Sequence, residues 1–183
     1  MRLFIDIFTF FVGPTLLAYL LIRLSLIKWF KVRVVKDALI LLFVAYVAFV
    51  LFIVWFDRSI PTDYLLFNLV PFYTLYEYFS RGFNHIAVVN ILGNLIMTLP
   101  FGMFAYFKIN VIPKLNIFWY SLCIPIIIEL GQLVIYMSGY GMRSVDIDDI
   151  ILNSAGILIG YFIVNSCFKR FHWNQERILR WIY

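Results

Sequence analysis

Apolar residues run along the chain in five blocks parted by charged or turn-rich connections: Phe4 to Ile22, Ala38 to Phe56, Ile86 to Phe107, Ile117 to Met137 and Ile150 to Ser166. Each approaches the roughly 20 apolar residues a helix needs to cross a hydrocarbon core. The pattern predicts an all-α fold, a polytopic membrane helix bundle of about five transmembrane helices. Between the second and third blocks lies a 29-residue connection, Asp57 to His85, carrying Asn68-Leu69-Val70-Pro71-Phe72 and a run of aromatics from Phe72 to Phe79. It is too apolar for a solvated loop, so part of it is expected to be interfacial or re-entrant, folded back onto the bundle.

A second pattern crosses the last block. Arg143, Asp146, Asp149, Asn153, Gly156 and Gly160 follow one another, and from Asp146 the steps are three, four, three and four. On a helix those side chains form one stripe. The stripe also moves the expected start of the last helix back to near Asp146. Carboxylates and amides inside a bilayer cost several kcal/mol unless paired or hydrated. Their natural neighbours are the other polar residues in apolar blocks, Asn90, Asn94, Glu129 and Gln132, and the set reads as one site.

Composition changes the picture by fixing the compartment. Hydrophobic residues make up 64% of the 183 residues and charged ones 14%, with a mean hydropathy of +0.93. A soluble domain is excluded, and the chain is read as one membrane domain, 1–183, with a basic amphipathic tail over 169–183. The first block is long, follows a single Arg and lacks a small-x-small cleavage site, so it is expected to be retained as a helix, although Asp6 and Pro14 interrupt it.

Lys and Arg set the orientation, because short cytoplasmic loops collect them. Eleven of the fifteen lie in the first connection, the third connection and the tail. The N-terminus is therefore expected outside and the C-terminus in the cytoplasm. With about 1.5 Å of rise per residue, Asn90 and Asn94 then fall about 7 and 13 Å below the outer boundary, Glu129 about 12 Å and Gln132 about 8 Å. Asn153 enters from the same side. Three helices place their polar groups at one level, in the outer leaflet.

Each member also has a structural explanation. Asp146 can be the N-cap of the last helix with Asp149 in its first turn. Asn90 and Asn94 can be interhelical hydrogen-bond glue, and Gly156 with Gly160 is a small-xxx-small pair, assigned here to helix packing. Glu129 can pair with Arg143 and fix helix register, or face a hydrated cavity.

The same residues carry a family resemblance. Asn90-x-x-x-Asn94, then Pro100-Phe101-Gly102, then Glu129-x-x-Gln132, then Arg143-x-x-Asp146-x-Asp148-Asp149-x-x-x-Asn153-x-x-Gly156-x-x-x-Gly160 resembles the pattern of the VanZ-like membrane proteins. Asn68-Leu69-Val70-Pro71-Phe72 is similar to that family's segment before its third span. The resemblance covers Asn68 to Gly160, with one departure, Val145, where the family more often has an aromatic residue.

The resemblance implies a bacterial cell-envelope protein of the cytoplasmic membrane, and the family's namesake confers resistance to teicoplanin, an acylated glycopeptide antibiotic. On that basis the chain is expected to lower susceptibility to lipoglycopeptides by binding an amphiphile or envelope lipid. The site is Asn90, Asn94, Glu129, Gln132, Arg143, Asp146, Asp149 and Asn153, and the partners are membrane lipids and a lipoglycopeptide or lipid-linked cell-wall precursor.

One alternative is an intramembrane enzyme acting on such a lipid, with Glu129 as general acid or base and Asp146 and Asp149 as weak candidates for a divalent metal. The other is a structural or regulatory subunit. No G-x-S-x-G, H-E-x-x-H or phosphate-cradling glycine loop is present in the sequence, and no cofactor is expected. Asp148 lies off the polar stripe, and Cys123 and Cys167 are read as packing residues on the reducing side. The net charge of +5 reflects topology and gives no reason to invoke nucleic acid.

Overall fold

The computed structural model describes residues 7–25, 34–56, 67–82, 84–109, 116–138 and 145–171. Among them are six α-helices and one two-residue parallel strand pair. The helices are α1 (Gly13–Ser25), α2 (Val34–Phe56), α3 (Tyr73–Ser80), α4 (His85–Ile109), α5 (Ile117–Met137) and α6 (Ile147–Arg170), and the strands are β1 (Phe67–Asn68) and β2 (Val145–Asp146). Four helices are long and apolar enough to cross a membrane: Lys36–Trp55 in α2, His85–Phe107 in α4, Ile117–Met137 in α5 and the whole of α6. The fold is a polytopic all-α bundle.

The elements fall into two compact units, α1 with α2 and everything from β1 to α6. In the first unit, the block expected to span from Phe4 to Ile22 is a π-helical stretch, Phe8–Val12, running into the 13-residue α1. Pro14 supplies the physical reason for the break. It has no N–H to return to a carbonyl one turn back, and its ring crowds that turn, so the ladder changes register there. The Thr15 hydroxyl donates to the Phe11 carbonyl at 2.7 Å beside it. Ile7, Val12 and Ala48 form a small core with Phe11 and Phe52, whose rings meet edge-on at 5.6 Å. The Arg23 guanidinium, in the last turn of α1, forks onto both oxygens of Asp37, in the first turn of α2, at 3.0 Å each. Each charge also sits at the helix end whose dipole favours it.

In the second unit α6 is central, touching α3, α4 and α5. It runs parallel to α4, with contacts in the same order along both: Asn94 with Asp149, Thr98 with Asn153, Gly102 with Ile157, and Tyr106 with Tyr161 and Phe168. Glycines set the spacing. A Cβ on Gly102 would overlap the Ile157 carbonyl, one on Gly156 the Leu95 carbonyl and one on Gly160 the Leu99 carbonyl. The two backbones therefore meet directly, as small residues allow in lipid. At the far end Tyr106, Phe107, Tyr161 and Phe168 close the interface with ring contacts of 5.2 to 5.8 Å. α5 begins at Asn116, whose side chain accepts the Phe118 N–H at 2.9 Å, and returns antiparallel to lie against α6 with Ser121, Pro125, Ile128, Glu129 and Gln132 buried. Cys123 lies on its exposed side.

Gly160→Val should force α4 and α6 apart and lower stability by about 1–3 kcal/mol. Gly93→Ala, where nothing lies within 4 Å, should leave stability unchanged or slightly raised. Thermal unfolding of the purified protein in one detergent checks both.

Candidate functional site

α6 begins at Asp146. Its backbone is extended (φ −129°, ψ 122°), and its carboxylate accepts the Asp148 N–H at 2.8 Å, so the N-cap role is real. The same carboxylate does more than cap. Oδ1 also accepts from the Asn68 amide at 2.9 Å, and Oδ2 accepts from the Thr74 hydroxyl. The Asp146 backbone N–H donates to Glu129 Oε2 at 3.3 Å, which brings α5 to the same point. Asn68 itself turns the chain, its Oδ1 taking the Val70 N–H at 3.1 Å, and β1 pairs with β2 by matching Asn68 to Asp146.

Asp148 was expected to lie off the polar stripe, and it does, for a reason the stripe hides. It is fully buried and accepts two backbone N–H groups from the start of α3, Phe72 on one oxygen and Leu75 on the other. α3 has no capping side chain of its own: Phe72 occupies the N-cap with a left-handed backbone, φ 66°. A non-glycine residue there costs on the order of 1 kcal/mol and persists where the surroundings hold it. The charge-assisted bonds from Asp148 are that hold. α3 is thus capped in trans, from the first turn of α6.

Next to Asp148 in the same first turn of α6, Asp149 Oδ1 accepts from the Asn94 amide at 2.6 Å, and Asn94 also reaches Asn90 Oδ1 at 3.5 Å. One turn on, Thr98 donates to the Asn153 backbone carbonyl at 2.8 Å, with the Asn94 carbonyl at 2.9 Å. The Asn153 side chain is 1% exposed, and its Oδ1 has no hydrogen-bond partner among the described residues; the same holds for Ser154 Oγ. Gln132, one turn beyond Glu129 on α5, is buried.

Seven of the eight residues expected to form a site are therefore on the described elements, all toward the end of the unit where α4 and α6 begin and α5 finishes. Arg143, and with it the expected Glu129 to Arg143 pair, lies outside the described residues. So do most of the basic tail and the first connection. Asn68, Thr74, Thr98 and Asp148 join the network although none of them is among the eight residues expected to form the site. The signal for Asp148 was available: a helix starting after Pro71-Phe72 carries no Ser, Thr, Asp or Asn at its cap and has to borrow an acceptor. Among the described residues no three His, Cys, Asp or Glu side chains are placed to hold a metal ion.

A family model described as VanZ/LLP1 matches residues 43–169, well over half of the chain. The chain belongs to the VanZ/LLP1 family. Comparison with curated proteins and comparison with solved structures each gave no match. The VanZ-family match begins within α2 and ends in the last turn of α6, so it takes in every described residue of the polar network. It also reaches further back than the motifs that carry the resemblance, which start at Asn68.

The Asn94 to Asp149 contact should behave as one energetic unit. In a double-mutant cycle of Asn94→Ala and Asp149→Ala, read by unfolding in detergent, the two losses should fall short of additivity by roughly 0.5–3 kcal/mol. Strict additivity would mean that the bond contributes nothing.

Proposed function

We propose that this VanZ-family membrane protein binds the polar head of an amphiphile at the Asn94, Glu129, Asp146, Asp149 and Asn153 end of α4, α5 and α6, and thereby lowers susceptibility to acylated glycopeptides of the teicoplanin type. In this reading α1 with its π-helical lead forms a fifth span, the N-terminus is outside, the C-terminus is cytoplasmic, and the polar end lies in the outer leaflet. Asn90, Asn94 and Gln132 orient the head, Arg143 meets its carboxylate or phosphate, and lipid accommodates the acyl chain. The antibiotic itself and an envelope lipid or lipid-linked precursor that it exploits share this chemistry.

The observation that carries the reading is the Asn153 side-chain oxygen. Most polar groups in the network have partners within it, which helix packing alone would explain. A buried amide oxygen without one is uncommon in a folded interior and asks for a donor. It lies one helical turn from Asp149 and two from Asp146, on the same stripe.

Cells expressing the wild type should resist teicoplanin but not vancomycin, and Glu129→Gln, Asp149→Asn and Arg143→Ala should each abolish the effect at matched membrane levels. Equal loss of folded protein in all three variants would point to a structural role. Turnover of a purified lipid substrate by the wild type would point to the enzyme reading instead.

A further inference from the structure

The segment from β1 through α3 has two unlike sides. On one side Leu75 and Tyr78 are half-buried, and the backbone of Phe72 and Leu75 is bonded to Asp148. On the other, Tyr76 and Phe79, three apart, share one face of α3, Phe72 stands just ahead of them at its N-cap, and each is at least 60% exposed. Leu69 and Val70, just ahead of them, are exposed to the same degree. A short helix tethered through its backbone while it presents a row of rings is a poor fit to water.

Its level in the fold indicates what covers that row. The Phe67 ring meets Tyr136 edge-on at 5.8 Å, one residue from the end of α5, and Asn68 pairs with the N-cap of α6. The segment therefore lies where two spans end, the depth at which hydrocarbon gives way to headgroups. Val134 and Met137, at the same end of α5, are exposed too, on a helix long and apolar enough to cross a membrane. Tyrosine suits this boundary, with an apolar ring and a polar tip. The ion pair of Glu77 with Arg81, one turn apart, forms the polar edge of the same helix.

We infer that the Phe72, Tyr76 and Phe79 row inserts into the headgroup–acyl boundary of the bilayer, and that Asp148 is the lock holding this anchor to α6. The anchor needs only the membrane reading and stands whether or not the polar end binds an amphiphile. It gives the first turn of α6 a fixed depth, because Asp146 and Asp148 hold the segment and begin the helix at once.

Nitroxide labels at Tyr76→Cys and Phe79→Cys, on a Cys123→Ser, Cys167→Ser background in phosphatidylethanolamine–phosphatidylglycerol vesicles, test this by power saturation. Both labels should be relaxed several times more by oxygen than by a water-soluble nickel chelate, as at the lipid-facing reference Val134→Cys. Preference for nickel would place the row in water, and exclusion of both reagents would place it under protein, a second copy included; either overturns the inference. Adding Asp148→Asn should raise label mobility at 76 and 79 while the Val134 label, reporting that α5 is intact, stays unchanged. Unchanged mobility at 76 and 79 would remove Asp148 as the lock.

Discussion

In lipid two helices gain nothing from hiding apolar side chains, since the solvent is as apolar as they are, so the contact between α4 and α6 has to be made by other means. It is made by backbone against backbone. Gly102 on one helix and Gly156 and Gly160 on the other leave no room for a Cβ, and the approach they permit lets the Thr98 side chain reach the Asn153 carbonyl across the interface. The Asn94 to Asp149 bond one turn away depends on the same spacing. Dispersion and interhelical hydrogen bonds carry the load that hydrophobic burial carries in water.

From that spine the polar end follows. With α4 and α6 parallel and in contact, α5 has to return between their ends, which brings Glu129 to the start of α6. The start of α6 then organises everything around it. Asp146 caps its own helix and holds Asn68 and Thr74, while Asp148 caps α3. Four carboxylates, Glu129, Asp146, Asp148 and Asp149, sit on or beside one helical turn, and the first three each accept at least one backbone N–H group. This is the cheapest way to hold carboxylates at a membrane boundary, because N–H groups at helix starts need acceptors and their dipoles favour negative charge.

The amino-acid sequence told a large part of this. Steps of three and four from Asp146 to Gly160 marked out one face of α6, and the spacing of Asn94, Glu129 and Asn153 within their apolar blocks pointed to the common end of the helices at which they lie. Gly156 and Gly160 face α4, as their small-xxx-small spacing indicated. Two things were harder to read. The Phe4 to Ile22 block reads as one span although Asp6 and Pro14 interrupt it, because hydropathy does not register the N–H that Pro14 lacks. Asp148 was discounted because periodicity reports the direction of a side chain from its own helix, whereas its partners, Phe72 and Leu75, are more than 70 residues away in sequence.

The most direct test of the polar end as a binding site uses Asn153→Ala, because Thr98 bonds to the Asn153 backbone carbonyl, which alanine retains. In nanodiscs, with titration of teicoplanin and its deacylated form, the wild type should bind the acylated form saturably and more tightly than the deacylated one. Asn153→Ala should lose that binding at unchanged thermal stability. Equal binding by wild type and variant, or no saturable binding by the wild type, would contradict the account and leave the network as helix packing.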